Sequence, residues 1–120
     1  MQKTTLVIGA SLNENRYSNI CIKTLVSCNI PVFAIGLREG FIDEIPVYKG
    51  FPELDAIHTV TLYLGAENQK LWYDYILKLK PDRVIFNPGT KNLAFENILT
   101  AAGIKTVEDC TIIMAQTGRF

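Results

Sequence analysis

Apolar residues gather in five short runs along the chain, at residues 4–8, 31–35, 59–64, 83–86 and 104–107. Their cores are near-continuously apolar, the pattern of strands covered on both faces. The third run alternates instead (Thr59-Val60-Thr61-Leu62-Tyr63-Leu64), which gives that strand one partly polar face. Between the runs the spacing turns helical. Tyr17, Cys21, Leu25 and Cys28 form one stripe predicted to face a sheet. Trp72, Ile76 and Leu79 repeat the stripe in a helix that begins near Glu67 and ends before Pro81. Phe95, Leu99 and Ala102 repeat it again, with Gly103 closing the helix. Residues 111–116 make a last short helix. Residues 36–54 carry no periodic element and are broken by Pro46, Pro52 and several glycines. They read as a functional loop with one helical turn near residues 51–54.

Strands alternating with helices imply βαβ units, right-handed crossovers and a parallel sheet. The expected fold is α/β, a doubly wound three-layer sandwich with a five-stranded parallel sheet in the order 3-2-1-4-5. Ligands of such sheets bind outside the carboxyl ends of the strands, where the order reverses. The 120 residues suit a single domain over residues 1–120.

Charge narrows the function classes. Lys plus Arg and Asp plus Glu number 12 each, so no net field recruits nucleic acid or a membrane surface. Three cysteines without C-x-x-C spacing argue against a disulfide framework and a zinc site. With no signal-peptide pattern and no bilayer-length apolar run, the expectation is a cytoplasmic protein. The expected partner is a small nucleotide-like molecule; a protein partner or a homodimer is left open.

Chemistry is sought at the strand ends. After the first strand, Gly9-Ala10-Ser11 leads through Asn13, Asn15, Arg16, Tyr17 and Ser18 into a helix. Glycine lets backbone approach an anion, and the first-turn N–H groups of the helix point at it. Ser11 then donates, and Arg16 or Ser18 assists. The same residues also suit an ordinary turn whose Asn and Ser side chains cap the helix. The dinucleotide fingerprint G-x-G-x-x-G is incomplete, since only Gly9 is present.

After the second strand comes Gly36-Leu37-Arg38-Glu39-Gly40, with no acid at the tip where an NAD protein holds a ribose. Arg38 suits a phosphorylated ribose, an adenine face or plain solvent. The turns Leu64-Gly65-Ala66-Glu67-Asn68, with Tyr63 before it, and Asn87-Pro88-Gly89-Thr90-Lys91-Asn92 suit a pocket lining or simple βα loops. Asn92 also suits a helix cap. Catalytic residues are few. The single histidine, His58, falls at the strand end away from the ligand edge and reads as structural. Cys110 follows two acids that raise a thiol pKa, an effect a helix start would partly reverse.

Four stretches together carry a resemblance: Val7-Ile8-Gly9-Ala10-Ser11, the loop from Ile45-Pro46-Val47 to Pro52-Glu53-Leu54, Asn87-Pro88-Gly89, and Val107-Glu108-Asp109-Cys110. In their order and spacing the chain resembles the small single-domain CoA-binding proteins. That family is Rossmann-like and similar to the N-terminal CoA-binding domain of the succinyl-CoA synthetase α subunit. The resemblance implies a CoA pyrophosphate on Gly9, Ala10, Ser11, Arg16 and Ser18. It also implies an adenosine near Gly36, Leu37, Arg38, Tyr63 and Leu64. The chain departs from the family in having Gly36-Leu37 where Asn-Pro is common, and in lacking an arginine between Asp109 and Cys110. The function implied is non-catalytic binding of coenzyme A or an acyl-CoA, in a sensing or carrier role. Two alternatives stand beside it: an enzyme acting on a CoA thioester through Cys110 or His58, and an NAD(P)-binding redox sensor.

Overall fold

The computed structural model describes residues 2–120. In chain order the elements are β1 (Thr5–Ala10), α1 (Tyr17–Ser27), β2 (Val32–Gly36), β3 (Gly40–Ile42), β4 (Ile45–Tyr48) and β5 (Thr59–Leu62). There follow α2 (Ala66–Gln69), a 3-10 turn at Lys70–Trp72, α3 (Tyr73–Leu79), β6 (Arg83–Phe86), α4 (Leu93–Ala101), β7 (Lys105–Glu108) and α5 (Thr111–Gln116). The strands form one seven-stranded sheet in the order β3-β4-β2-β1-β5-β6-β7. Every pairing is parallel except β3 with β4.

The central strands are buried on both faces, as their apolar runs require. Leu6, Ile8, Val60, Leu62, Val84 and Phe86 meet Ile76 of α3 and Phe95 and Leu99 of α4 on one side. Val7 and Ala34 meet Cys21, Ile22 and Leu25 of α1 on the other, with Ile112 and Ala115 of α5 packed against them. Helices thus cover both faces of a mainly parallel sheet, the Rossmann-like α/β arrangement. Among the described residues no helix is long and apolar enough to cross a membrane.

The expected sheet of five strands in the order 3-2-1-4-5 is corrected in both respects. Residues 36–54, read as a loop, hold the hairpin of β3 and β4, in which Phe41 stands opposite Pro46. Strand β4 then adds parallel to β2. Proline is tolerated in so short a hairpin at the rim of a sheet, where few ladder bonds are needed. The third expected strand, observed as β5, therefore pairs with β1 rather than β2. No helical turn forms at residues 51–54.

The stripe on α1 is corrected as well. Tyr17 is 74% exposed and Cys28 lies outside the helix, while Ser18, Asn19, Cys21, Ile22 and Leu25 are buried. The helix expected from Glu67 to Pro81 is broken by the 3-10 turn, and Lys80 ends it in the left-handed region (φ 51°). Gly103 closes α4 at φ +79°, as its position after the stripe suggests.

Candidate functional site

The carboxyl ends of β1, β2 and β5 open into a cleft of about 480 Å³. It lies where the chain first passes from β1 to β2 on one side and later resumes with β5 on the other. Its floor is shaped by glycine. Gly9 sits at φ +97°, and a Cβ there would fall 2.9 Å from the Tyr63 carbonyl carbon and oxygen. The β1 register slips between Ile8 and Ala10, so Gly9 is the bulge that lets the β1 tip pass under Tyr63. At the neighbouring tip a Cβ on Gly36 would lie 2.2 Å from the Ala10 carbonyl oxygen. No side chain, acidic or otherwise, fits the end of β2.

Above this floor the loop into α1 is shaped by its own polar residues. Ser11 Oγ accepts from the Asn13 N–H at 3.1 Å, and Asn13 Oδ1 accepts from the Asn15 N–H at 2.9 Å. Asn19, buried in the first turn of α1, donates through Nδ2 to the Ser11 carbonyl at 2.9 Å. Its Oδ1 is buried without a partner. Arg16, the residue before α1, offers no side-chain cap. The first-turn N–H groups of Tyr17 and Ser18 are thus left for an outside acceptor.

Two guanidinium groups belong to the lining, Arg16 from this loop and Arg38 from the loop after β2. Among the described residues neither has a carboxylate within salt-bridge distance. The rim is apolar: Leu37 is 91% exposed, and Leu12 packs over Gly40 of the edge hairpin. Beneath the cleft, burial pushes the Tyr63 phenol above its ordinary range and the Cys21 thiol beside it up to about 12. Neither ionises near neutrality, so this layer supplies no nucleophile.

A second cleft, of about 350 Å³, opens at the tips of β6 and β7 between Pro88-Gly89 and Asp109-Cys110. Asn87 fastens its base. Its Nδ2 donates to Thr61 Oγ1 at 2.6 Å and to the Leu62 carbonyl at 2.8 Å, and its Oδ1 accepts from the Thr111 N–H at 2.9 Å. Every polar atom of that carboxamide is engaged within the protein. Lys91 bridges Glu108 and Glu96, and Arg119 holds Asp109 at 2.9 Å. That guanidinium keeps the Asp109 carboxyl below the usual range.

Of the sequence-derived candidates, Gly9, Ala10, Ser11, Arg16, Leu37, Arg38, Tyr63 and Leu64 meet at the first cleft. Gly36, Ser18 and Tyr17 do not line it: Ser18 is buried, and Tyr17 is largely exposed. Asn87, Pro88 and Gly89 belong to the second cleft. Sequence reasoning passed over Leu12, whose place on the rim depends on the unforeseen hairpin. Gly65 and Asn68 also line the first cleft, from a turn whose sequence suits pocket lining and plain loop alike. His58 lies at the opposite edge of the sheet, with Nδ1 2.7 Å from Thr59 Oγ1 and Nε2 3.4 Å from Asp82. Cys110 is the residue before α5, makes no side-chain cap and is half-buried, and all three cysteines are free.

No curated protein matches the chain significantly. The crystal structure of an uncharacterized protein is 39% identical, with a TM-score of 0.96 over 100% of this chain and 99% of that one. The cell-free ID.343 protein from Thermus thermophilus is 19% identical, with a TM-score of 0.87 over 99% of this chain and 91% of that one. A hypothetical protein from Pyrococcus horikoshii OT3 is 20% identical, with a TM-score of 0.87 over 97% and 83%. These last two are likenesses of fold. The CoA binding domain model matches residues 3–116, nearly the whole described chain, and the protein therefore belongs to the CoA binding domain family.

Proposed function

We propose that residues 1–120 act as one unit that binds coenzyme A or an acyl-CoA without transforming it, in a sensing or carrier role. The observation that carries this reading is the first cleft, whose two guanidinium groups have no carboxylate within salt-bridge distance among the described residues, together with the uncapped first turn of α1 that follows Arg16. Such a set suits a pyrophosphate. The Gly9-Ala10-Ser11 turn brings backbone close to it, and Ser11, whose oxygen already accepts from Asn13, keeps its O–H to donate. The adenosine end lies toward Leu37, Arg38, Tyr63 and Leu64. The closed tip of β2 at Gly36 leaves no carboxylate for the ribose diol of NAD.

A thermal-shift panel tests the reading. CoA should raise the Tm more than adenosine, ADP or NADH, and mass spectrometry should find CoA or an acyl-CoA on freshly purified protein. A larger shift with NADH would favour the redox-sensing alternative, and no shift with any nucleotide would end the proposal. One observation favours a second reading. Cys110 lines the second cleft, so an enzyme on CoA thioesters would lose turnover in Cys110→Ser.

A further inference from the structure

Gln69 ends the single turn of α2 and is fully buried. A long carboxamide in such a place needs partners for all its polar atoms. Nε2 donates to the Leu64 carbonyl at 2.8 Å and to the Thr90 carbonyl at 2.7 Å, and Oε1 accepts from Asn92 Nδ2 at 3.0 Å. Asn92 also donates to Tyr73 Oη at 2.8 Å and caps α4 through the Phe95 N–H. Tyr73 in turn stacks on Phe95, with ring centroids 4.1 Å apart. One amide therefore links the loop after β5 to the loop after β6 and, through Asn92, to the rigid aromatic core.

The Leu64 loop is a wall of the first cleft, which Gly65 and Asn68 also line. Its own bonding is sparse: within the loop the Asn68 N–H reaches the Gly65 carbonyl at 3.0 Å. An apolar residue at position 69 would pack against the surrounding core but leave the Leu64 and Thr90 carbonyls without that donor. We infer that Gln69 is a positioning residue of the ligand cleft, its carboxamide setting where the Leu64-Gly65 wall stands. The inference rests on the CoA-binding reading and extends it to a residue that does not line the cleft.

The test compares wild type, Gln69→Met and, as a control for simple loss of core stability, Ile76→Val. CoA affinity is measured by calorimetry well below each melting temperature, and amide exchange is followed in the ligand-free proteins. Gln69→Met should weaken CoA about tenfold, the loss expected when buried hydrogen bonds go unmade. It should also speed exchange at Asn68 and leave β1 protected. Ile76→Val should leave affinity within about twofold, because its cavity lies away from the cleft. If Gln69→Met does not fold, Asn92→Asp replaces it. That variant keeps the acceptor for Phe95 but removes the donor to Gln69, and should weaken CoA about threefold. A folded variant with wild-type affinity and unchanged exchange at Asn68 overturns the inference. Failure of the wild type to bind CoA instead overturns the parent reading, and exchange at the Asn68 amide then decides alone whether Gln69 sets the wall.

Discussion

The two clefts at the carboxyl edge of the sheet are built from the same kind of βα turn, yet their charges are arranged in opposite ways. In the first, Arg16 and Arg38 have no carboxylate to answer them. In the second, Lys91 and Arg119 are answered by Glu96, Glu108 and Asp109. Their glycines differ too. Gly9 is hemmed in by the Tyr63 carbonyl, whereas a Cβ on Gly89, at φ +87°, would meet nothing within 4 Å. The first cleft is thus shaped by what is withheld, acids in one place and a Cβ in another, as much as by what is supplied.

Filling the glycines tests the contrast most severely. Gly9→Val combines a left-handed backbone with a clash against carbonyl atoms and should cost about 3 kcal/mol or more. CoA binding should vanish with it, as melting curves and calorimetry would report. Gly89→Ala meets open space and should lose only about 1 kcal/mol, from backbone strain. Equal losses at the two positions would erase the distinction.

Charge comes next. Arg16→Glu and Arg38→Glu should each weaken CoA about tenfold or more, the weight of a hydrogen bond to a charged group. Lys91→Ala should leave CoA affinity within about twofold, since its exposed ion pairs neutralise one another. A comparable loss in the Lys91 variant would move the anion site to the second cleft.

The smallest effect lies at the opposite edge of the sheet. Burial lowers the His58 pKa below its ordinary 6.5, against the opposing pull of Asp82. Between the lowered folded value and 6.5 the unfolded chain holds more protons, so acidification through that window favours unfolding. Melting temperatures measured from pH 7.5 to 5.5 should fall slightly more in wild type than in His58→Gln, while CoA affinity keeps the same pH profile in both. A His58-dependent change in CoA affinity would contradict its placement far from the site.

Much of this was legible in the chain. Runs such as Val84-Ile85-Phe86 and the turn at Gly9 announce strand and tight turn because burial on both faces and close backbone approach each restrict residue choice. The hairpin of β3 and β4 was not legible. Three and four residues are too few for alternation to register, and Pro46 with Asp43-Glu44 has the composition of a loop. The strand order failed with it, since only β4 shows that a strand other than β5 lies beside β2. On α1, Ser18 and Asn19 look solvent-facing by composition, but Asn19 is drawn inward by its bond to the Ser11 carbonyl. The cleft at the β1 tip was readable where a single residue is forced, at Gly9. It was unreadable where a wall is held by a distant amide such as Gln69.

The edge hairpin also bears on self-association. Its outer strand β3 spans three residues, about 10 Å of extended backbone, too little to template a further strand. At the other margin, the four residues of β7 begin and end with exposed charges, Lys105 and Glu108. A sheet bounded in this way resists growth by strand addition, and crowding many copies together should not convert it into a ribbon.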